Sequence, residues 1–161
     1  MRTGDICNRS IVTCPPTATA ATLAELMRDE HTTEVIVVEE HSSRRVAKGI
    51  VTFRDMVVRV IAGHVDAATT LASDIMSSSV ETARDTELTY DAISRMREKR
   101  IARLVVVDAE GALVGVLTAN GVTEFLAGEL LEVARISPEQ IRSARTDPKG
   151  SRLGPAHGAT R

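Results

Sequence analysis

The sequence predicts an α/β protein of the α+β kind, in which two copies of a β-α-β-β-α unit pack pseudo-symmetrically, sheet against sheet. Residues 11–38 match residues 80–107 at a constant offset of 69, which indicates an internal repeat. Both copies then end a hydrophobic run with Gly-x-x-Thr, at Gly49 and at Gly115, where the offset has become 66. A unit of about 60 residues is too small to bury both faces of its own sheet, so the two copies are expected to cover each other.

The first half of each copy predicts an extended segment followed by a helix. The extended segments cover Ser10–Thr13 and Ser79–Thr82. Thr22 and Glu25 have the spacing of a capping box, and the sequence leaves an earlier start of this helix open. The apolar residues of the two helices recur with a spacing that forms one stripe: Leu23, Leu26 and Met27 in the first copy, and Leu88, Ala92, Ile93 and Met96 in the second.

The second half of each copy predicts a β-hairpin and a closing helix. Two short apolar runs flank a polar turn, as in buried strands that pair with each other. The copies differ in length within this turn, which covers residues 41–45 in the first copy and 109–111 in the second. A hairpin tip tolerates such changes. The closing helices carry apolar residues at Met56, Val57, Val60 and Ile61, and at Val122, Phe125, Leu126 and Leu130.

The composition excludes several classes of protein. The chain has 161 residues, of which 43% are hydrophobic and 26% charged, a balance typical of globular rather than disordered proteins. Its 20 Lys and Arg residues against 22 Asp and Glu give a net charge of −2, without the basic excess typical of a duplex-binding protein. Aromatic residues make up only 2%, too few for a platform that stacks single-stranded bases.

Neither catalytic nor metal chemistry is predicted. The sequence contains no nucleophile elbow and no P-loop, and its four histidines have no metal-ligand spacing to one another or to the cysteines. We therefore expect no enzyme. Cys7 and Cys14 are expected to be reduced thiols, one of which can pack in the core. Because the chain has no apolar stretch long enough to span a membrane and no signal peptide at its start, we expect a cytoplasmic protein.

The repeat divides the chain into three parts. We place the first copy at residues 1–69 and the second at residues 70–135. In residues 136–161, a Ser-Pro pair typical of a helix start is followed by a stretch rich in Gly and Pro and almost free of apolar residues. This last part is predicted to form a short helix and a mobile C-terminal tail.

The doubled unit resembles the cystathionine-β-synthase (CBS) domain, and two such copies in tandem resemble a Bateman module. The resemblance covers roughly residues 3–134. It rests on the run Gly49-Ile50-Val51-Thr52-Phe53-Arg54-Asp55, a Gly-x-x-Thr-x-x-Asp motif after a hydrophobic hairpin, and on its partial repetition in register at Gly115. The family implies a sensor whose cleft between the two copies binds adenine nucleotides or related adenosyl ligands, and which frequently forms homodimers.

The resemblance implies a nucleotide site centred on Thr52 and Asp55. A threonine at a helix start leaves its hydroxyl and nearby backbone amides free for a phosphate, and the Asp55 carboxylate suits the two hydroxyls of a ribose. The same Thr-x-x-Asp spacing is also that of a capping box, and both interpretations stay open. Carried over from the family, the site is completed by the other copy, near Val80, Glu81, Ala102 and Arg103.

Two arginines beside this site have more than one interpretation. Arg103 can pair with a phosphate in bidentate fashion, or it can be a solvated member of the charged run that begins at Arg95. Arg54 can reach a phosphate, reach a dimer partner or lie on the surface.

The opposite site, which combines the motif of the second copy with residues of the first, departs from this pattern at two positions. Gly121 stands where Asp55 does, so the acceptor for a ribose is absent. Glu34 stands where Arg103 does, and its charge repels a phosphate. We therefore predict one competent site and one vestigial or altered site, the latter built from Ile11, Val12, Thr33, Thr118 and Gly121.

Two functions from different classes fit these residues. The favoured one is a stand-alone regulatory CBS pair that binds an adenosine-containing nucleotide of the AMP, ATP or NAD class. It would signal to an unknown regulated protein by a change of conformation or of dimer. The alternative is a ligand-free protein–protein interaction or assembly module, which the missing Asp at position 121 favours. Nucleic-acid binding through the basic run at residues 95–103 is disfavoured by the near-neutral net charge.

Overall fold

The computed structural model describes residues 1–42 and 44–136 and contains the predicted β-α-β-β-α unit twice. In the first copy the elements are β1 (Thr13–Cys14), α2 (Ala20–Asp29), β2 (Glu34–His41), β3 (Arg44–Thr52) and α3 (Phe53–Asp55), which continues as a π-helix (Met56–Ile61). In the second copy they are β4 (Thr82–Arg84), α5 (Thr89–Lys99), β5 (Arg103–Val107), β6 (Leu113–Thr118) and α6 (Ala119–Ala134). A short helix precedes each copy: α1 (Thr3–Ile6) and α4 (Ala72–Ile75).

Each copy forms a three-stranded sheet, ordered β1-β2-β3 in the first and β4-β5-β6 in the second. The first strand pairs in parallel with the second, with Thr13 opposite Ile36 and Thr82 opposite Val105. The second strand pairs with the third in an antiparallel hairpin, and both hairpins carry a β-bulge at the same place, after Val37 and after Val106. The predicted α/β fold with two equivalent units is confirmed.

The two sheets pack face to face, as predicted. One buried cluster contains residues of both sheets, including Ile36 and Val38 from β2 and Val105 from β5. Two further clusters lie on the other faces, where each sheet meets its own helices. Leu23 on α2 is fully buried in the first of these, and Met96 on α5 is buried in the second. The branched and small aliphatic residues of the strands therefore supply all three layers of core.

The first helix of each copy starts differently from the capping-box prediction. In the first copy the N-cap is Thr19 rather than Thr22, because the Thr19 hydroxyl accepts a hydrogen bond from the Thr22 backbone amide at 3.2 Å. In the second copy Leu88 is the N-cap and is 55% exposed, so its assignment to the buried stripe was wrong. Ile93 is also exposed, while Ala92 and Met96 are buried as expected.

The closing helices bury less of their apolar surface than their sequence pattern indicates. Val60 and Val122 are buried, but the residues around them are open to solvent. Ile61 is 68% exposed, and in the second copy Leu130 is 70% exposed. Val57 and Leu126 are also exposed. An apolar helix face that residues 1–42 and 44–136 leave open is a candidate contact for another protein.

The segments that lead into the two copies pack on the opposite copy. Helix α1 lies at the start of the chain but contacts β4 and β6, and the Thr3 backbone amide donates to the Glu87 carbonyl at 2.9 Å. Helix α4 precedes the second copy but contributes Ile75 to the core cluster of the first. The two copies thus exchange the short segments that precede their first strands, so the core of each copy includes residues from the other segment. The division of the chain at residues 69 and 135 stays a prediction.

The glycine of each Gly-x-x-Thr motif lies where an exchanged segment crosses the hairpin. A Cβ at Gly115 would stand 2.5 Å from the Asn8 carbonyl oxygen, and a Cβ at Gly49 would stand 2.4 Å from the Met76 sulfur. Both distances are far inside van der Waals contact. The backbone neighbour at Gly115 cannot turn away, whereas the Met76 side chain can adopt another rotamer. The glycine of the motif is therefore explained by the close packing of the crossing segment against the hairpin.

The close neighbours of Gly115 and the open space around Gly128 predict opposite effects on stability when each glycine is replaced by alanine. Gly115→Ala is expected to lower the free energy of unfolding by about 1–3 kcal/mol, because the added methyl group overpacks the crossing. Gly128→Ala, in helix α6 with no atom within 4 Å of the added Cβ, is expected to raise it by up to about 1 kcal/mol. Urea denaturation of both variants checks the pair. Equal effects at the two positions would contradict the close crossing at Gly115.

The chain divides into two compact units, Met1–Phe125 and Leu126–Arg161. The first contains both sheets and the cavities described below. Both cysteines are free thiols, and burial raises the pKa of the Cys14 thiol to about 11. In the described part of the chain, no helix is long and apolar enough to cross a membrane. The predicted short helix at Ser137 and the predicted tail lie outside the described residues.

Candidate functional site

A cavity of about 580 Å³ lies beside the start of α3, and both copies contribute to its wall. We call it the main cavity. It is lined by the seven residues proposed for the competent site: Thr52, Arg54, Asp55, Val80, Glu81, Ala102 and Arg103. The structure thus brings together residues that lie up to 51 positions apart in the sequence.

Thr52 and Asp55 are held by the turn from β3 into α3. Thr52 ends the strand and is the N-cap of the helix, and Asp55 is its third residue. Asp55 Oδ2 accepts hydrogen bonds from the Thr52 amide at 2.8 Å and from the Thr52 hydroxyl at 2.6 Å. The Asp55 amide in turn donates to the Thr52 hydroxyl oxygen at 3.3 Å. The capping-box interpretation of this motif is therefore realised.

This geometry corrects one detail of the expected chemistry. The Thr52 hydroxyl gives its proton to Asp55, so it is not free to donate to a phosphate as the sequence interpretation assumed. The capping box does not exclude a ligand at Asp55, however. Its second oxygen, Oδ1, accepts no hydrogen bond in the described residues and lies 3.4 Å from Arg59 Nε. A carboxylate oxygen in this state can accept a hydrogen bond from a ribose hydroxyl.

The second copy supplies the opposite wall of the main cavity. Ser77, Ser79, Val80 and Glu81 come from the segment between α4 and β4, and Ala102 and Arg103 come from the start of β5. These two segments run side by side, because the Val105 amide donates to the Glu81 carbonyl at 3.0 Å. The parallel pairing of β4 with β5 therefore fixes how the wall faces Asp55.

Most charged groups at the main cavity have a partner within the protein. Asp55 pairs with Arg59, Glu81 pairs with Lys99, and Arg103 pairs with Glu34. Arg54 is exposed and has no acidic partner among residues 1–42 and 44–136. The lining carries three arginines against two carboxylates, which leaves an excess of positive charge for an anionic ligand.

The structure also places residues in the main cavity that the sequence interpretation missed. These are Ile50, Val58, Arg59, Ser77, Ser79 and Ile101. Arg59 had a usable signal, because it lies four positions after Asp55 on the same helix, a spacing that brings side chains together. The two serines gave no signal, since only the exchange of segments carries them to the cavity.

The five residues of the proposed second site are not gathered into one cavity. Thr33 and Thr118 line a cavity of about 300 Å³, which we call the second cavity and which also contains Glu34 and Arg103. Ile11 and Val12 line a separate space of about 30 Å³. Gly121 lines neither, and its amide donates to the Thr118 hydroxyl at 3.0 Å. The main cavity therefore has no equivalent of similar size at these residues.

The side chains of the main cavity suit the binding of a small ligand. In the part of the chain that the structure describes, no three His, Cys, Asp or Glu side chains are grouped as a metal site would need. The main cavity combines an aliphatic wall, a carboxylate and arginines. Those groups suit a ligand with a flat apolar part, hydroxyl groups and a negative charge.

Comparison with known proteins decides the family. The family profile described as "CBS domain" matches residues 4–62 and 72–128, once in each copy. The chain belongs to the CBS domain family. The resemblance inferred from the doubled Gly-x-x-Thr motif is thereby confirmed, and the two sheets are the two halves of a CBS pair.

Individual relatives agree with this assignment. "Uncharacterized protein MK0525" from Methanopyrus kandleri is 32% identical over 121 residues, which is 75% of this chain and 60% of that protein. This chain therefore spans less than two thirds of that relative's length. The CBS domain protein PAE2072 from Pyrobaculum aerophilum, solved with AMP, is 30% identical, with a TM-score of 0.65 over 75% of this chain and 89% of that one.

A third comparison supports the fold alone. The CBS domain pair of protein MJ0100, solved with 5′-methylthioadenosine and S-adenosyl-L-methionine, is 20% identical. It has a TM-score of 0.68 and covers 80% of this chain and 98% of that one.

Proposed function

We propose that this CBS pair is a regulatory sensor that binds an adenosine-containing nucleotide of the AMP, ATP or NAD class in the main cavity. One observation carries the proposal. The seven residues selected from the sequence motif line a single cavity between the two copies. Its volume of about 580 Å³ lies within the range of small-molecule sites, about 300–1,000 Å³.

The lining groups match the parts of a nucleotide. Ile50, Val80 and Ile101 offer aliphatic surface for the base, and Asp55 Oδ1 offers an acceptor for the ribose. Arg54 and Arg103 offer donors for a phosphate, and arginine is well suited to that group because its guanidinium nitrogens bind two oxygens at once. The AMP complex of PAE2072, at 30% identity, supports the same ligand class for this chain.

Signalling is proposed to pass through a second copy of the chain. The helix that carries Asp55 presents Phe53, Val58 and Ile61 to solvent, with exposures of 62%, 54% and 68%. Val58 also lines the main cavity. A ligand in the cavity would shift the equilibrium between monomer and a homodimer that buries this face, provided it binds these two states with different affinity. The protein that the sensor regulates is proposed to be a different protein.

We place this activity in the cytoplasm, in keeping with two free thiols.

A thermal-shift screen with AMP, ADP, ATP, NAD and S-adenosylmethionine tests the proposal. A ligand at one hundred times its dissociation constant adds about 2.7 kcal/mol of stability, which raises the midpoint of a domain of this size by several degrees. We expect at least one of the five to produce such a shift. The absence of a shift with all five would overturn the proposal.

The alternative is a ligand-free assembly module, and one observation favours it. The polar groups of the main cavity largely satisfy one another, since Thr52 binds Asp55 and Arg103 binds Glu34. In that case the exposed apolar helix face would be the functional surface. Self-association that is independent of every nucleotide tested would support this alternative.

A further inference from the structure

We propose that Glu34 sets how strongly the main cavity prefers a ligand with a phosphate, by competing with that phosphate for Arg103. The inference rests on the proposed function, because it concerns the same cavity. It adds a specificity-determining residue that lies outside the main cavity and acts on the ligand through another side chain.

The geometry places Glu34 behind Arg103. Arg103 lines both the main cavity and the second cavity, whereas Glu34 lines the second cavity and not the main one. The two side chains form an ion pair through Arg103 Nε and Glu34 Oε2. Thus Glu34 pairs with Arg103 from the second cavity and does not itself face the proposed ligand in the main cavity.

The pair joins two equivalent positions of the repeat. Glu34 begins β2 and Arg103 begins β5, and the two are 69 residues apart, which is the offset of the repeat. The two sheets pack face to face, and these two equivalent residues meet in an ion pair. An opposite charge at each position gives an attraction that two identical residues would not have.

Breaking the ion pair between Glu34 and Arg103 costs free energy, because Glu34 has no second basic partner among the ion pairs of the described residues. Glu81 pairs with Lys99, which does not line the main cavity, and Asp55 pairs with Arg59, which lies four positions later on its own helix. Glu34 has no basic partner besides Arg103 among the ion pairs of the described residues, and its side chain is only 19% exposed. A phosphate that draws Arg103 away therefore leaves a half-buried carboxylate without a counter-ion, which is unfavourable.

The consequence is a graded selectivity. A nucleoside, which has no phosphate, gains nothing from Arg103 and loses nothing by the presence of Glu34. A nucleotide must either leave Arg103 on Glu34 or break that pair. Glu34 therefore weakens the binding of nucleotides relative to the corresponding nucleoside.

Isothermal titration of AMP and adenosine tests this inference. Glu34→Gln keeps the shape of the side chain and removes its charge. It is expected to strengthen AMP binding about two- to fivefold, the value of a partly exposed ion pair, and to leave adenosine binding unchanged. Glu39→Gln is the matched control, because Glu39 lies on the same strand and pairs with Lys48 at 2.9 Å but does not line the main cavity. It should change neither affinity.

A double-variant cycle shows whether Glu34 acts through Arg103. In the Arg103→Gln background, Glu34→Gln is expected to have no further effect on AMP affinity. Unchanged or weaker AMP binding in the single Glu34→Gln variant, with AMP still bound by the unmodified protein, would overturn the inference and leave the proposed function intact. If neither protein binds AMP, the inference fails, and the proposed function is decided by the other four compounds of the thermal-shift screen. If only Glu34→Gln binds AMP, the inference is supported, because removal of the charge is then what admits the phosphate.

Discussion

Asp55→Ala is expected to weaken AMP binding about ten- to one-hundredfold, the loss of one or two hydrogen bonds to a charged group. The reason lies in the two oxygens of this carboxylate. Oδ2 holds the Thr52 amide and hydroxyl, and Oδ1 remains available to a ligand beside Arg59. Removing the side chain therefore deletes the proposed ribose acceptor and also loosens the turn that carries it. Isothermal titration calorimetry measures the change.

The loss of the capping box has to be separated from the loss of the ligand contact. Asp74 provides the control, because it occupies the same position in helix α4, accepts a hydrogen bond from the amide of the N-cap Leu71 at 3.0 Å, and does not line the main cavity. Asp74→Ala should cost about 1 kcal/mol of stability and leave AMP affinity unchanged. Normal AMP binding by Asp55→Ala, or an equal loss in Asp74→Ala, would contradict the site.

Removal of residues 1–9 is expected to lower the free energy of unfolding by about 3–5 kcal/mol, although these residues precede the first strand of the sheet in the first copy. The segment forms backbone hydrogen bonds to the second copy from Thr3, Gly4 and Asn8, each at 2.9 Å. Thr3 is fully buried, and Ile6 packs against the core cluster of the second copy. Urea denaturation measures the loss.

Hydrogen exchange shows which part of the structure is destabilised when residues 1–9 are removed. Hydrogen exchange should become faster in α5 and β6 of the second copy, with a smaller change in β2 of the first. Arg9→Ala is the control, because Arg9 is exposed and makes one side-chain hydrogen bond, to the Gly4 carbonyl at 3.0 Å. It should change stability by less than about 0.5 kcal/mol. An unchanged urea midpoint for the shortened chain would contradict the exchange of segments.

Much of the fold could be predicted because local pattern and repetition agree. The strands are continuous apolar runs, and the hairpin turns fall where the copies differ in length. The doubling then implies two equivalent sheets, and small aliphatic residues such as Ile36 and Val105 allow them to pack face to face.

The errors arise where tertiary contacts decide the outcome. Leu88 has the spacing of a buried helix residue, but it is the N-cap and its side chain points to solvent. Helix α2 begins before Thr22, a start that the sequence left open, because Thr19, three residues earlier, offers the same hydroxyl. The packing of α1 on the second copy left no periodic signal, since four residues are too few to show one.

For the candidate sites too, the sequence predicted some groupings of residues correctly and others not. The motif around Thr52 and its expected completion near Arg103 led to residues that share one cavity. The second site was assembled by the same analogy, and its residues do not share a cavity. The ion pair between Glu34 and Arg103 was missed because each residue was assigned to its own site. Only the packing of the two copies shows that equivalent positions meet.

A crystal structure of the protein grown with AMP tests the central claim most directly. We predict density for the nucleotide in the main cavity, with the ribose against Asp55 and the phosphate within reach of Arg54. If Glu34 competes as proposed, Arg103 will either remain on Glu34 or turn from it to the phosphate. Nucleotide density confined to the second cavity or to the outer surface would contradict the claim. So would a complex in which Asp55 contacts no part of the ligand.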